Sequence, residues 1–140
     1  MLTWKKVNRI AIGHSSFILG LLHLLTGAVK TKSFGRAFAP DLYHEMTVYF
    51  SVAHDVLPLY EIISPMRMQE IFATLEMLCG FMLISRQLIP LAGMVLSLVL
   101  LCHCYLLNLL DQFYWHNLTL SFGAFILAMF VRQEPYWYEG

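Results

Sequence analysis

Charge is scarce in this chain. Asp, Glu, Lys and Arg together make up 13% of its 140 residues, against roughly 25% in soluble domains. Nine basic and nine acidic residues cancel, so there is no basic surplus to hold nucleic acid. Cysteine is equally sparse. Cys79, Cys102 and Cys104 all fall in apolar stretches, and no Cys-x-x-Cys occurs. That excludes a disulfide framework and disfavours a thiol oxidoreductase, which needs a reactive pair. There is no glycine-rich phosphate loop and no nucleophile elbow. Nothing in the chain assembles a catalytic constellation, and it reads as non-enzymatic.

What the chain has instead is hydrophobic residues, 59% of the total, above the roughly 45–50% of soluble proteins. They lie in four stretches, about 10–29, 67–85, 91–110 and 114–131. Each carries one stripe of small or polar residues at steps of three and four. The first stripe is Gly13, Ser16, Gly20, His23, Gly27 and Lys30; the second is Gln69, Ala73, Glu76 and Gly80. The third is Gly93, Ser97, Leu100, Cys104, Asn108 and Asp111; the fourth is Asn117, Ser121, Ala124 and Ala128. A repeat averaging 3.5 residues keeps one helix face toward a partner. In lipid that face is lined by small and polar groups, because close approach and hydrogen bonds drive packing there. The expected fold is an all-α membrane protein, a bundle of four transmembrane helices forming a single domain over residues 1–140.

The first stretch follows Lys5, Lys6 and Arg9. Its length, near 20 residues, exceeds the ~7–15 of a signal-peptide core, so it reads as a retained signal-anchor. Segment 30–66 is the only long polar stretch. Within it, Pro40 suits a first helical position and Asp41 a first turn. Leu42, Met46, Tyr49, Ala53 and Val56 then recur at steps of four and three, with Asp41, Glu45 and Asp55 off that face. This predicts a short amphipathic helix ending before Pro58 and lying on the membrane or capping the bundle. Arg86-Gln87-Leu88-Ile89-Pro90 predicts a tight turn, and Asp111-Gln112 a helix end. Trp4, Trp115 and Trp137 fall at predicted interfaces, as aromatic belts require. The basic cluster before the first helix places both termini in the cytosol.

Alternating helix directions then bring His23, Lys30, Glu76, His103, Asn108 and Asp111 toward the non-cytosolic half. His23 lies ~20 Å from the start of its span. Glu76 stands out, because an unpaired acid at the bilayer centre costs roughly 2.5–3.5 kcal/mol on insertion scales. It should face the bundle, with His23 or Lys30 as partner. Three roles stay open for it: a hydrogen bond that fixes helix register, a polar contact for another protein's membrane helix, and a ligand or proton site. Cys102, His103 and Cys104 point about 100° apart in turn and form no chelating triplet. His103 reads as a satisfied helix histidine, and no metal or cofactor is assigned. Asn117-Leu118-Thr119 matches a glycosylation sequon, but sits so close to the predicted membrane surface that it should stay bare.

The order of these features resembles a known family. Gly27 and Lys30 end the first helix, and Tyr43, Glu45, Met46 and Tyr49 precede Leu57-Pro58-Leu59. Ala73-Thr74-Leu75-Glu76-Met77-Leu78-Cys79-Gly80 follows, then a leucine-rich third helix, and a fourth ending near Arg132-Gln133-Glu134-Pro135. From about Ile12 onward the chain resembles the small DoxX-like membrane proteins, and within them the transmembrane protein 35 group of acetylcholine receptor chaperones. The resemblance implies an endoplasmic-reticulum protein whose partners are nicotinic acetylcholine receptor subunits, which it helps to fold and assemble. The wider DoxX-like relatives imply an alternative, a redox-associated subunit binding quinone, lipid or haem.

Overall fold

The structure, a computed structural model, describes residues 3–57 and 62–133. It is all-helical, with six helices and no strand among the described residues: α1 (Trp4–Val29), α2 (Lys32–Phe38), α3 (Pro40–Val56), α4 (Pro65–Ile84), α5 (Ile89–Leu109) and α6 (Trp115–Gln133). Pro58, Leu59 and the run from Glu134 through Trp137 lie outside the described residues.

Local chemistry sets the helix ends. Pro40, Pro65 and Pro90 each occupy one of the first two helical positions, where a missing N–H costs nothing. The Ser64 hydroxyl accepts from the Arg67 amide at 3.3 Å and caps α4. Between α4 and α5 the chain reverses through Arg86 and Leu88, both left-handed at φ 58° and 48°. Neither is a glycine, and such a conformation costs an ordinary residue roughly 1–2 kcal/mol. Asp111, at φ 53°, turns the chain after α5.

Two helices, α1 and α5, are long and apolar enough to cross a membrane. The apolar run Trp115–Val131 in α6 is shorter, and α4 carries Arg67, Glu70 and Glu76.

The helices pack in two pairs, α1 on α4 and α5 on α6, joined along α4 and α5. The small-residue stripes make both pairings. All six members of the α1 stripe are buried, as are Gln69, Ala73, Glu76 and Gly80 of α4. At the crossing the backbones touch. A Cβ on Gly20 would lie 2.7 Å from the Gly80 carbonyl oxygen, and one on Gly80 only 2.6 Å from the Gly20 carbonyl. The Ser16 hydroxyl donates to the Leu83 carbonyl at 2.6 Å. In the other pair, a Cβ on Gly93 would lie 2.8 Å from the Ala124 carbonyl. The Ser121 hydroxyl donates to the Ser97 carbonyl at 2.9 Å.

Three expectations need correction. The first helix starts at Trp4, not near Ile10. The segment after it holds two helices rather than one, because Thr31 caps a separate short α2. The face that α3 buries is also rotated from the expected stripe. Tyr43, Phe50, Ala53 and His54 are buried, while Leu42 and Val56 are exposed. Phe50 seats α3 against Met68 and Phe72 of α4 and Leu106 of α5. His54 Nε2 holds the far end by donating to the Ile63 carbonyl at 2.5 Å. Two apolar stripes run side by side on α3, and periodicity alone favours neither.

Candidate functional site

Four helices converge on Glu76, which is 2% exposed. It stands on the inner stripe of α4, one turn beyond Ala73. Lys30, the residue that ends α1, reaches it with Nζ 2.5 Å from Oε2. His103, from α5, reaches the other oxygen at 3.0 Å through Nε2. The opposite ring nitrogen of His103 lies 3.3 Å from the Tyr49 hydroxyl of α3. Tyr49 O–H donating to Nδ1 and Nε2–H donating to the carboxylate satisfy a neutral imidazole. The Lys30 carbonyl accepts from Gln69 Nε2 at 3.0 Å, which fixes the end of α1 against α4.

Aromatic rings enclose His103. The centroids of Phe72, Phe50 and Tyr49 lie 4.7, 6.0 and 6.0 Å from its own. Burial pushes the Tyr49 phenol above its ordinary range, and the Glu76 carboxylate adds to the shift. A neutral phenol is the form that can donate to His103.

Above this polar floor lies a cavity of about 520 Å³ between α1, α3, α5 and α6. Its walls are mainly apolar, built from side chains such as Leu25, Val29, Met46, Leu100, Leu107 and Leu120. Its floor is polar: His23, Lys30, Glu76, His103 and Tyr49 all face it. Leu22, Leu25 and Leu42 belong to its wall and yet are 40%, 50% and 42% exposed. The cavity therefore opens sideways past α1. Its size falls within the ~300–1,000 Å³ typical of small-molecule sites.

Of the six residues expected to cluster, four do. Lys30, Glu76 and His103 are bonded together, and His23 faces the same cavity. His23 is not the hydrogen-bonded partner of Glu76 that it could have been. Both its ring nitrogens are buried without a hydrogen-bond partner among the described residues. Asn108 and Asp111 stay out of the cluster and are exposed. The α5 stripe ends at Cys104: Leu106 turns inward instead of Asn108, and the helix stops at Leu109, which leaves Asp111 in the turn. Two contributors were not assigned to the cluster from sequence. Tyr49 was placed on the apolar face of α3, and Gln69 on the α4 stripe. Those positions were the only signal for either.

Among the described residues no three His, Cys, Asp or Glu side chains converge as a metal site would need. Cys79, Cys102 and Cys104 are free thiols. Compared with protein-family models the chain matches none, and compared with curated proteins it also finds no match.

Proposed function

We propose that α1, α4, α5 and α6 are four membrane spans and that the chain is a DoxX-like assembly chaperone of the endoplasmic reticulum. The observation that carries the membrane reading is an inverted distribution of polarity. Ser16, His23, Gln69, Glu76, Ser97, His103 and Ser121 are buried between the helices, while large apolar side chains face out on all four. Phe17 and Ile18 of α1, Phe81 of α4, Leu98 of α5 and Phe122 of α6 are all exposed. In water such a surface would drive aggregation; in lipid it is the outer face of a span. Among the described residues, the acidic and basic positions other than Lys30 and Glu76 stand within about two turns of a helix end, in the turns, or on α2 and α3.

With both termini in the cytosol, α2, α3 and the Glu76 cluster lie in the lumenal half. Clients on this reading are nicotinic acetylcholine receptor subunits, as the resemblance implies. Before assembly such subunits expose small and polar faces that later pack between subunits, and a bundle built on small-residue faces can hold them transiently by the same contacts. No catalytic group is needed for that role. Surface toxin binding in cells making receptor subunits, with and without this protein at matched subunit expression, tests it. A large rise in surface pentamers supports the reading, and no rise across several subunit types removes it.

The cavity over Glu76 favours a second reading, a redox-associated subunit that holds a quinone or haem. An absorption spectrum of the purified protein separates the two. A Soret or quinone band supports the redox subunit, and its absence leaves the chaperone.

A further inference from the structure

A buried histidine whose two ring nitrogens both lack partners is an unusual thing to keep. Buried polar groups are almost always bonded, and an unsatisfied one costs roughly 1–3 kcal/mol. His23 is 3% exposed, has no hydrogen-bond partner among the described residues at either nitrogen, and faces the 520 Å³ cavity. The rest of the floor is already engaged. Lys30 and Glu76 form an ion pair, and His103 is bonded on both sides.

These observations restrict the ligand chemistry. The Lys30–Glu76 pair is balanced, so the floor offers no net charge to an anionic or cationic head group. The walls, apolar except at Thr26, His116 and Asn117, ask for a body that is mainly hydrocarbon, and the lateral opening beside Leu22 and Leu25 faces the surface that lipid covers on the membrane reading. A neutral imidazole has one donor and one acceptor nitrogen. The two nitrogens point in diverging directions, so one ligand oxygen bonds only one of them. A hydroxyl suits either, donating to the bare nitrogen or accepting from the N–H, whereas a carbonyl suits the N–H alone. A rigid ring body loses less conformational freedom on entering a closed space than free acyl chains do. We infer that the cavity binds a neutral lipid alcohol of the sterol type, entering from the bilayer past α1 with its hydroxyl on His23. This rests on the membrane placement of the bundle and not on the identity of its clients.

The test uses the full chain reconstituted in phosphatidylcholine vesicles with a photoreactive cholesterol that retains its 3-hydroxyl. Carbonate extraction of the vesicles reports membrane insertion separately, so a failure of insertion is distinguished from a failure to bind. The expected result is labelling of peptides from the cavity walls, around Thr26, Leu107 or Leu120. Unlabelled cholesterol should compete for it, and cholesterol 3-methyl ether, which cannot donate, should compete less well. His23→Phe should weaken the competed labelling by up to about tenfold, the effect of losing one neutral hydrogen bond. Size-exclusion chromatography checks that this variant folds. Leu107→Trp narrows the cavity from its wall and keeps every residue of the polar floor, and should sharply reduce the labelling even if His23→Phe does not fold. Labelling confined to outward residues such as Phe17, Leu98 or Phe122 overturns the inference. So does labelling that Leu107→Trp leaves unchanged, or competition by a short-chain quinone or the methyl ether equal to that of cholesterol.

Discussion

The ion pair between Lys30 and Glu76 allows a quantitative test of what the buried charge does. Lys30 is 7% exposed and Glu76 2% exposed, at a separation of 2.5 Å. Replacing Glu76 by alanine leaves the ammonium buried without a counter-charge and removes the acceptor of His103 Nε2. Breaking a buried pair from one side costs about 3–5 kcal/mol, on the order of 10 °C in midpoint for a chain near this length. Glu76→Gln keeps the length of the side chain and an acceptor oxygen for Lys30, but loses the charge. It should cost about 1.5–3 kcal/mol, the worth of a charged hydrogen bond. In the double variant Lys30→Met with Glu76→Gln no charge remains, and the glutamine oxygen, no longer needed by Lys30, is free to turn and accept from His103. That protein should be more stable than Glu76→Gln alone, because neutral replacement of a whole buried pair is often tolerated. The assay is thermal unfolding of all variants in one mild detergent, read by intrinsic fluorescence and by recovery of the monodisperse peak. The double-mutant cycle should give a coupling of about 2 kcal/mol or more. If the single costs simply add, or if Glu76→Gln is indistinguishable from the wild type, the carboxylate charge has no structural role and the reasoning fails.

Other outcomes follow from the packing and the turns. Gly80→Val should cost about 1–3 kcal/mol, because its Cβ meets Gly20 O at 2.6 Å. Gly123→Ala, with nothing within 4 Å of its Cβ, should instead stabilise by up to about 1 kcal/mol; paired melting curves compare the two. Leu88→Gly relieves a left-handed leucine at φ 48° and should raise the midpoint by the equivalent of about 0.5–1 kcal/mol. The Tyr49 phenol holds its proton above the ordinary value of 10.0. The unfolded chain has released that proton by then, so stability falls as the pH rises through 10 and beyond. Absorbance at 295 nm should show Tyr49 ionising after the exposed tyrosines, and Tyr49→Phe should remove the last step of the titration.

The helix faces were largely legible in the sequence, and the reason is physical. Where helices meet without a water-driven force, the backbones must approach closely, and only Gly, Ala, Ser and a few polar groups permit it. The α1 stripe from Gly13 to Lys30 is buried along its whole length for that reason. The pairing of stripes was not legible, since any small-residue face suits any other. The short helix Lys32–Phe38 escaped notice because seven residues carry too few turns to show a period. In the site, Lys30 and Glu76 could be paired because a buried acid demands a partner. His23 could not be placed, since nothing in its neighbours tells that Lys30 and His103 take both carboxylate oxygens first. Asn108 and Asp111 were carried in by extending a 3.5-residue repeat past the point where the helix ends.

The same periodicity explains why the charged contacts stand where they do. Gly13, Gly20 and Gly27 recur every seven residues on α1, so sliding α1 along α4 by two turns, about 10.5 Å, brings one glycine into the place of the next. Packing of small residues alone therefore specifies the register of α1 against α4 weakly. The polar contacts do not repeat. Ser16 meets the Leu83 carbonyl, Gln69 the Lys30 carbonyl and Lys30 the Glu76 carboxylate, and a two-turn shift would break all three and leave an acid and an amine unpaired in an apolar interior. The cost of such a shift runs to several kcal/mol from the ion pair alone, which is enough to reject it. His103 extends the constraint to α5 and Tyr49 extends it to α3. The Glu76 carboxylate, extended through His103 to Tyr49 and backed by Ser16 and Gln69, thus ties four helices into one register, while the glycines set only how closely two of them approach.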